Sequence, residues 1–527
     1  MNKAEKAVKE LIKSKKEALE DLDGFKRKMA AKFEFRPISS IELLESYHRL
    51  VKNKRIKRDR KIEYLLTKKK VRSLSGIVNV SVLTKPYPCP GKCIFCPAEK
   101  NIPQSYLKKE PAVQRAVLTK FDPYLQIQTR LRSLVKTGHP VDKIELRIIG
   151  GTWSFYPKRY QNWFIARCFQ AANNFPKNIK CNPFLKKEQK KNERAKNKII
   201  GITIETRPDF ITEEEIKRLR KLGVTRVELG VQSIYDDVLK RNKRGHKVSA
   251  TARAAKLLKD AGFKVSFQMM PNLMGSTYKK DIEMFKKLFS ESRFCPDLLK
   301  IYPLALVKNT PLYKKYLKGE FKPYTKKRLT ELLTSIKQHI PYWCRIQRVI
   351  RDIPSQNIVE GGAKTSNLRE VVQKEMGKQG LSCKCIRCRE VKENYDPKEK
   401  LYLYREDYEA SGGKEIFLSY ENKTRSRLYS LLRMRIPSRN FISVLKESAI
   451  VRELHTYGRL SPLREKIVSP QHKGLGKKLM KEAERIAKEE YDVKNIAVIS
   501  GIGVRGYYRK LGYRLKDTYM VKTIEKL

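Results

Sequence analysis

Short apolar, β-branched runs alternate with amphipathic helical patterns through the middle of the chain. The runs indicate six strands, at residues 76–84, 143–149, 199–206, 226–231, 264–270 and 298–302, and helical periodicity fills the gaps at 160–173, 213–222, 250–261 and 279–289. Six strand-helix units predict a parallel α/β sheet, and they are too few for the closed eightfold barrel. We therefore expect an open partial (βα)6 barrel over residues 76–340, with its chemistry at the carboxyl ends of the strands.

The pattern differs on both sides of this barrel. Residues 1–75 combine helical patterns with basic runs, the densest being Lys52 to Lys61, and residues 341–398 interrupt the alternation. Strand patterns return at 401–408, 415–420, 428–435 and 449–457, followed by an amphipathic helix at 478–488. The chain is thus expected to contain a basic helical segment (1–75), the barrel, a linker (341–398) and a second α/β domain (399–527).

A cysteine loop follows the first predicted strand. Residues 85–97 read KPYPCPGKCIFCP and place Cys89, Cys93 and Cys96 in the order C-x3-C-x2-C. Three thiolates this close can ligate three irons of a 4Fe-4S cluster and leave the fourth iron open for a reaction. A zinc knuckle or three incidental thiols are the alternatives. Zinc usually takes four ligands, and the next Cys or His residues are His139 and Cys168, so the spacing favours the cluster.

A second cysteine group lies in the linker, where Cys383, Cys385 and Cys388 form C-x-C-x2-C. A segment with little core of its own gains folding energy from a bound metal, so this group predicts a structural Zn²⁺ site. The sequence reveals no fourth ligand. A second iron-sulfur cluster and three free thiols remain open alternatives.

The net charge of the chain indicates what kind of partner it binds. The formal net charge is +61, and a basic excess of this size indicates a polyanionic partner, with nucleic acid the first candidate. Residues 1–75 hold 23 Lys and Arg against 11 Asp and Glu, so this segment is predicted to bind RNA, although a solvated basic surface would have the same composition.

The cysteine count and the hydropathy pattern indicate the cellular compartment of the protein. Ten cysteines, six of them in two tight groups, fit metal sites in a reducing compartment better than a disulfide framework. The chain contains no run of 18 apolar residues and no apolar segment at its start. We therefore expect a cytoplasmic protein that does not bind membranes.

Residues 471–477, QHKGLGK, place glycines at the start of the last amphipathic helix. Free backbone N–H groups at such a helix start can bind a pyrophosphate. The form Q-x-x-G-x-G resembles the acetyl-CoA loop of the GNAT acetyltransferases, and residues 503–512, GVRGYYRKLG, resemble their closing aromatic helix. The cysteine loop, with Phe95 before its third cysteine, resembles that of the radical S-adenosylmethionine (SAM) superfamily.

A radical SAM barrel joined to a GNAT domain resembles the Elp3 family, which comprises the catalytic subunit of Elongator and its stand-alone archaeal and bacterial counterparts. Further matching stretches are residues 122–124, 150–152, 201–209, 227–233, 242–246, 351–354, 451–458 and 497–513. The resemblance implies modification of uridine 34 of tRNA. A SAM-derived 5′-deoxyadenosyl radical activates the acetyl group of acetyl-CoA, which joins C5 of the base and leaves 5-carboxymethyluridine after thioester hydrolysis.

The resemblance also implies cofactors, partners and site residues. The cofactors are a 4Fe-4S cluster, SAM and acetyl-CoA, and the macromolecular partner is a tRNA anticodon stem-loop, with a homodimer or Elongator-like subunits also open. The cluster ligands are Cys89, Cys93 and Cys96. The SAM residues are Gly150, Gly151, Glu205, Arg207 and Gln232. The acetyl-CoA residues are Lys143, Glu453, Leu454, His455, Thr456, Gln471, Gly474, Leu475, Gly476, Lys477 and Tyr508. The residues implied for catalysis are Lys143, Tyr507 and Tyr508, and further candidates to meet the anticodon loop are Lys158, Lys300 and Tyr302.

Some positions depart from the family pattern. Cys96 is followed by Pro97, Ala98 and Glu99 where glycines are common, and Trp153 stands where Phe often follows the GGT motif. The three-residue gap between Cys89 and Cys93 is shorter than in eukaryotic members, so the chain looks like a prokaryotic one.

Two functions other than RNA modification are also compatible with the sequence. A protein lysine acetyltransferase would leave the cysteine loop idle, and its positive charge would repel basic protein tails. A non-catalytic acetyl-CoA-binding tRNA scaffold is the third possibility.

Overall fold

A computed structural model describes residues 3–34, 36–179, 181–392, 395–458 and 474–524 of the chain. The helices are α1 Lys3–Lys13, α2 Lys15–Glu20, α3 Leu22–Lys32, α4 Ser40–Lys52, α5 Arg60–Leu66, α6 Pro111–Leu118, α7 Pro123–Lys136, α8 Lys158–Asn174, α9 Leu185–Asn192, α10 Glu213–Leu222, α11 Asp236–Arg241, α12 Val248–Asp260, α13 Tyr278–Ser290, α14 Pro311–Leu317, α15 Lys326–Gln338, α16 Leu368–Lys378, α17 Ile386–Arg389, α18 Leu475–Glu489 and α19 Arg505–Arg509. Within these ranges, no helix has the length and apolar character needed to span a bilayer.

The strands of the described residues form two seven-stranded sheets. The first sheet contains β1 Val78–Leu83, β2 Lys143–Ile149, β3 Lys198–Thr206, β4 Arg226–Gln232, β5 Lys264–Met269, β6 Leu298–Ile301 and β7 Arg345–Arg348. The second contains β8 Tyr402–Ala410, β9 Gly413–Glu421, β10 Leu428–Ile436, β11 Ser448–Thr456, β12 Asn495–Val498, β13 Arg514–Lys516 and β14 Tyr519–Thr523.

The first sheet is the predicted partial barrel, with strands β1 to β7 parallel and in sequence order. The alternation of strands and helices predicts six strands, whereas the sheet has a seventh, β7, inside the stretch assigned to the linker. Three of its four residues, Arg345, Gln347 and Arg348, line the barrel interior. The strand is four residues long and its inner face is polar, so it contains no apolar run. The hydropathy pattern therefore does not predict it.

The strands of the barrel separate an apolar outer face from a polar inner face. On β2, Ile144, Leu146 and Ile148 are buried in the main hydrophobic core under the helices, whereas Glu145 and Arg147 line the interior. A strand alternates the direction of its side chains, so the same segment supplies both layers. The interior is therefore lined by charged side chains.

Local signals start and end the helices around this sheet. The Asp122 carboxylate accepts hydrogen bonds from the backbone amides of Tyr124 (2.7 Å) and Leu125 (3.2 Å), and Pro123 occupies the first position of α7. Helix α10 begins with the Thr212 side chain accepting from the Glu215 amide, and it ends at Gly223, whose φ is 89°. These ends fix where the barrel loops emerge.

The second sheet has the order β13-β14-β12-β11-β10-β9-β8 and is antiparallel except for the central pair β11 and β12. This pair is in register only from Ser448–Asn495 to Val451–Val498. Beyond Val451 the two strands are no longer paired, although β11 continues to Thr456. Helix α18 packs on β10 and β11 beside this opening. The predicted strand patterns at 401–457 and the helix at 478–488 all correspond to elements of this domain.

Helices α1 to α5 form a small bundle with its own core, which includes Leu11, Phe25, Leu43 and Tyr47. The bundle meets the barrel at helix α7, where Lys136 forms an ion pair with Glu45 (3.4 Å). The basic run at 52–61 covers the end of α4, the following loop and the start of α5. The predicted basic segment is thus a folded bundle.

A buried network of charges joins the barrel to the second domain. Asp297, just before β6, lies 3.0 Å from Arg452 on β11 and 3.5 Å from Lys259 on α12. Arg435 on β10 pairs with Asp260 at 2.6 Å. Charges removed from water are tolerated only when they are paired, so this network sets the relative position of the two domains.

Candidate active site between the barrel and the second domain

The cysteine loop follows β1 at the carboxyl end of the barrel. A Cβ atom on Gly91 would lie 2.7 Å from Arg207 Nη1 and 3.6 and 3.7 Å from the Sγ atoms of Cys89 and Cys93. A side chain at position 91 would therefore push against the Arg207 guanidinium beside the two sulfurs. Arg207 is held from its other side by Asp209, whose Oδ2 accepts from Nη2 at 2.8 Å.

A second arginine, Arg244, also faces the loop. Its Nη1 donates to Cys93 Sγ at 3.6 Å, and its Nη2 donates to the Gly230 carbonyl oxygen. A Cβ atom on Gly230 would lie 2.7 Å from that Nη2, which explains the glycine at the end of β4. Two guanidinium groups beside the loop sulfurs suit an anionic metal cluster. Apart from the family match of residues 242–246, this role of Arg244 could not be predicted from the sequence.

The two cysteine groups differ in spacing. The Sγ atoms of Cys383, Cys385 and Cys388 lie within 4.8 Å of one another, and no other trio of His, Cys, Asp or Glu in the described ranges meets this limit. One zinc ion holds sulfurs at about 2.3 Å, so its ligands lie within about 4.6 Å of each other. The linker group fits a single ion. The wider loop group suits a larger cluster.

Buried polar atoms without partners surround the loop. They include Arg207 Nη1, Gln232 Oε1, Arg244 Nε and His246 Nε2, each without a hydrogen-bond partner among the described residues. Buried polar groups are normally satisfied, and an unsatisfied group points to a missing ligand, water or ion. The donors beside three thiols therefore fit an anionic iron-sulfur cluster with a polar ligand next to it.

The predicted SAM residues meet at this end of the barrel. Gly150 and Gly151 have φ values of 112° and 66°, and a Cβ on Gly150 would lie 2.5 Å from Thr84 Oγ1. Glu205 accepts from Tyr106 Oη at 3.0 Å and from Lys300 Nζ at 2.9 Å. Gly151, Glu205, Arg207 and Gln232 (φ 72°) line one cavity, and Gly150 precedes Gly151 in the same turn.

This cavity has a volume of about 660 Å³ and extends through the barrel interior. At one end it is lined by Cys89, Cys93 and Cys96, and at the other by Glu453 and His455 of β11. The second domain thus contributes part of the wall of the cavity that contains the cysteine loop.

Charged pairs line the interior between these ends. Lys300 donates to Glu205 (2.9 Å) and to Glu228, and Arg226 pairs with Glu145 (3.1 Å). Burial alone would raise the pKa of Glu228, but Arg147 and Lys300 outweigh it and hold that pKa well below its usual range. The interior therefore keeps fixed charges that can orient a polar substrate.

The further candidates for the anticodon loop fall in different places. Lys300 is only 1 % exposed and lies inside the barrel, so it is not available on the surface. Lys158 is exposed and pairs with Glu214 at 3.0 Å. Tyr302 lines the cavity.

The predicted acetyl-CoA residues of β11 divide between two faces. Glu453 and His455 point toward the barrel, where Glu453 pairs with Lys264 (3.2 Å) and His455 Nε2 lies 2.9 Å from the Ser75 carbonyl oxygen. Leu454 and Thr456 point toward α18, because a Cβ on Gly476 would lie 3.7 Å from Leu454 Cδ2 and 3.8 Å from Thr456 Oγ1. Strand alternation produces this division, which the residue list alone does not reveal.

The other predicted residues of the second domain surround the start of α18. Gly474 caps this helix with a φ of 69°, Leu475 is buried and Lys477 is exposed. Tyr507 Oη would lie 3.1 Å from a Cβ on Gly476, and the ring of Tyr508 packs edge-on against that of Tyr507 at 5.2 Å. Gln471 lies outside the described residues.

Lys143 begins β2 at the amino end of the barrel, far along the strand from the cysteine loop. Burial lowers the pKa of its ammonium group. By strand alternation it shares the inner face with Glu145.

Comparisons with known proteins agree with this architecture. Residues 87–288 match the family model for the Radical SAM superfamily, and residues 296–378 match that for the Radical_SAM C-terminal domain. The tRNA uridine(34) acetyltransferase of Methanocaldococcus infernus is 49% identical over 476 residues, which cover 87% of this chain and 88% of that protein. Elongator complex protein 3 of Homo sapiens is 38% identical over 541 residues, which cover 98% of this chain and 96% of that protein.

A solved structure agrees with the fold over most of the chain. The archaeal Methanocaldococcus infernus Elp3 with an N-terminal deletion (1-46) superimposes with a TM-score of 0.75 at 45% identity, covering 86% of this chain and 100% of that one. The radical SAM match implies a 4Fe-4S cluster and SAM as cofactors. Identity at this level over nearly the whole length shows that the chain belongs to the Elp3 family of tRNA uridine(34) acetyltransferases.

Proposed function

We propose that this protein modifies the wobble uridine 34 of tRNA, joining the acetyl group of acetyl-CoA to C5 of the base through a SAM-derived radical. The product after thioester hydrolysis is 5-carboxymethyluridine. The observation that carries the proposal is the single cavity that both the cysteine loop and strand β11 line. A radical source and an acyl donor that act on one base need such a shared space.

The residues of the loop would hold the cluster and SAM. A 4Fe-4S cluster bound by Cys89, Cys93 and Cys96 would supply the electron that cleaves SAM. Arg207 Nη1 has no hydrogen-bond partner among the described residues, and this nitrogen can donate to the carboxylate of SAM. Gly151, with a φ of 66°, lines the same space. The linker cysteines Cys383, Cys385 and Cys388 would hold a structural Zn²⁺ ion.

The second domain would hold acetyl-CoA where β11 and β12 separate. The first-turn amides of α18 face this opening and suit a pyrophosphate, and Tyr507 and Tyr508 lie beside it. From there the acetyl end can pass to the barrel side of β11, toward Glu453 and Lys143. We place the activity in the cytoplasm, where a reducing environment keeps the metal-binding thiols reduced.

The test is anaerobic incubation of the purified protein with tRNA, SAM, acetyl-CoA and a low-potential reductant. We expect 5′-deoxyadenosine together with a carboxymethylated nucleoside at position 34, both measured by mass spectrometry. Acetyl-lysine formed without SAM would instead indicate a protein acetyltransferase. RNA binding with neither product would indicate a scaffold.

Gly476→Glu is expected to weaken acetyl-CoA binding by about 10-fold or more and to leave SAM binding unchanged. The new side chain would collide with Tyr507 Oη, 3.1 Å from its Cβ, and would place a negative charge at the phosphate-binding helix start. Isothermal titration with acetyl-CoA and with SAM measures both effects. Gly377→Glu is the matched control, because a Cβ there meets nothing within 4 Å in helix α16. Equal loss in both variants would contradict the assignment of this site.

A further inference from the structure

Three arginines from three different elements line the same side of the cavity. Arg72 ends a short 3₁₀ turn at Lys70–Arg72, Arg115 lies on α6 and Arg130 lies on α7. All three are partly exposed. They form a cationic wall that belongs to the amino-terminal connection and to the helices that follow the cysteine loop.

None of these three arginines forms an ion pair with a carboxylate in the part of the chain that the structure describes. Arg115 Nη1 donates a hydrogen bond to the Pro111 carbonyl oxygen at 2.9 Å. The arginines deeper in the cavity differ, since Arg147 and Arg226 have the paired glutamates described above. Asp352, which faces Arg115 from across the cavity, is already held by Arg348.

The three charges are close enough to repel each other. Burial, with the charges of Arg115 and Arg72, lowers the pKa of Arg130 to about 10. Burial and the charge of Arg72 likewise lower the pKa of Arg115. Clustered like charges without counterions destabilise the folded protein, and sites of this kind persist where a ligand needs them. The wall therefore has the character of an anion site.

The wall adjoins the cysteine end of the cavity. Helix α6 begins directly after Glu110, which lies 3.6 Å from Arg351, and Arg351 donates to the Ser105 carbonyl oxygen. Gln104, Ser105 and Tyr106 line the cavity beside Cys96. An anion on the arginine wall would thus sit at the edge of the space in which the radical chemistry is proposed.

We propose that Arg72, Arg115 and Arg130 bind the backbone phosphates of the RNA that flank the base entering the cavity. This inference rests on the proposed function and adds the contact that positions the substrate. A looped-out base enters a pocket while its flanking phosphates stay outside, and a guanidinium binds a phosphate with two parallel hydrogen bonds. The proposed phosphate site for acetyl-CoA lies elsewhere, at α18, so the wall suits a second polyanion.

The test measures the binding of an anticodon stem-loop RNA as a function of KCl concentration. For Arg130→Gln and Arg115→Gln we expect affinity to fall about 10-fold each and the slope of log K against log salt to decrease by about 0.7 per arginine. The loss should be equal for stem-loops with uridine or cytidine at position 34, because phosphate contacts carry no base information. Arg514→Gln, on the exposed strand β13, removes the same charge far from the cavity and is the control.

Stability and nucleotide binding separate this proposal from its alternatives. Arg130→Gln should raise the melting temperature, since it relieves repulsion, whereas loss of a structural arginine would lower it. Arg115→Lys should keep the charge and recover part of the affinity. Unchanged RNA affinity and slope in the glutamine variants would overturn the proposal. A loss confined to acetyl-CoA would also overturn it and assign the wall to nucleotide phosphates. If the unmodified protein failed to bind the stem-loop at all, the proposed function itself would fail.

Discussion

Cys93→Ala is expected to reduce 5′-deoxyadenosine formation to the background rate while RNA affinity stays within about twofold of that of the unmodified protein. The substitution removes a sulfur that Arg244 contacts at 3.6 Å and that lies beside Arg207, so it would leave two cationic groups facing a two-cysteine loop. A cluster bound by two thiolates is expected to be lost. Anaerobic chromatography of the reaction, with iron content and the absorbance of the cluster, measures this effect.

Cys181→Ala is the matched control for this variant. Cys181 is exposed and lies outside both cysteine groups, so its removal should change neither iron content nor deoxyadenosine formation. Full deoxyadenosine formation by Cys93→Ala would refute the assignment of the loop. The unchanged RNA affinity separates loss of the cluster from general unfolding.

Asp297→Asn is expected to lower the free energy of unfolding by about 3–5 kcal/mol. The carboxylate lies between Lys259 (3.5 Å) and Arg452 (3.0 Å), all fully buried, so the amide would leave Glu415 as the one carboxylate that pairs with both of these cations among the described residues. Because these groups come from both domains, the variant should also loosen the interface. Urea unfolding measures the change. Asp237→Asn, in an exposed pair with Lys280 at 2.8 Å, is the control and should cost less than about 1 kcal/mol.

The same network predicts how stability depends on pH. Burial would raise the pKa of Asp297, but Arg452 and Lys259 outweigh it and hold that pKa below its usual range, as they do for Glu415. A carboxyl group with a lowered folded-state pKa stabilises the protein above its unfolded pKa, near 4, and this contribution is lost as the pH falls below that value. Stability should therefore decline steeply below about pH 4, and less steeply in Asp297→Asn.

Much of the fold could be predicted from hydropathy because the outer faces of the barrel strands are uniformly apolar. Strand β2 was predicted at its observed bounds, Lys143–Ile149, and the other five predicted strands differ by a few terminal residues. Strand β7 could not be found in this way, because Ile346 is the single apolar residue among its four. Periodicity identifies a strand through repeated apolar residues on one face, which β2 has and the four-residue β7 lacks.

The site could be predicted only where residue types are rare. Cysteines and paired glycines are conspicuous, so the loop and Gly150-Gly151 could be identified from the sequence. Arg244 and the wall of Arg72, Arg115 and Arg130 could not, because the chain has 117 lysines and arginines and their spacing shows no pattern. The division of β11 into a barrel face and a helix face depends on which side each domain occupies. The placement of the two domains around β11 is known only from the structure.

The amino-terminal bundle has a consequence of a different kind. Its apolar core is separate from that of the barrel, and it touches the barrel mainly along helix α7. A bundle with a separate core can be lengthened, shortened or exchanged during evolution without disturbing the cavity in the barrel. The affinity of related proteins for nucleic acid can then differ between lineages, while the reaction performed on the nucleic acid stays the same.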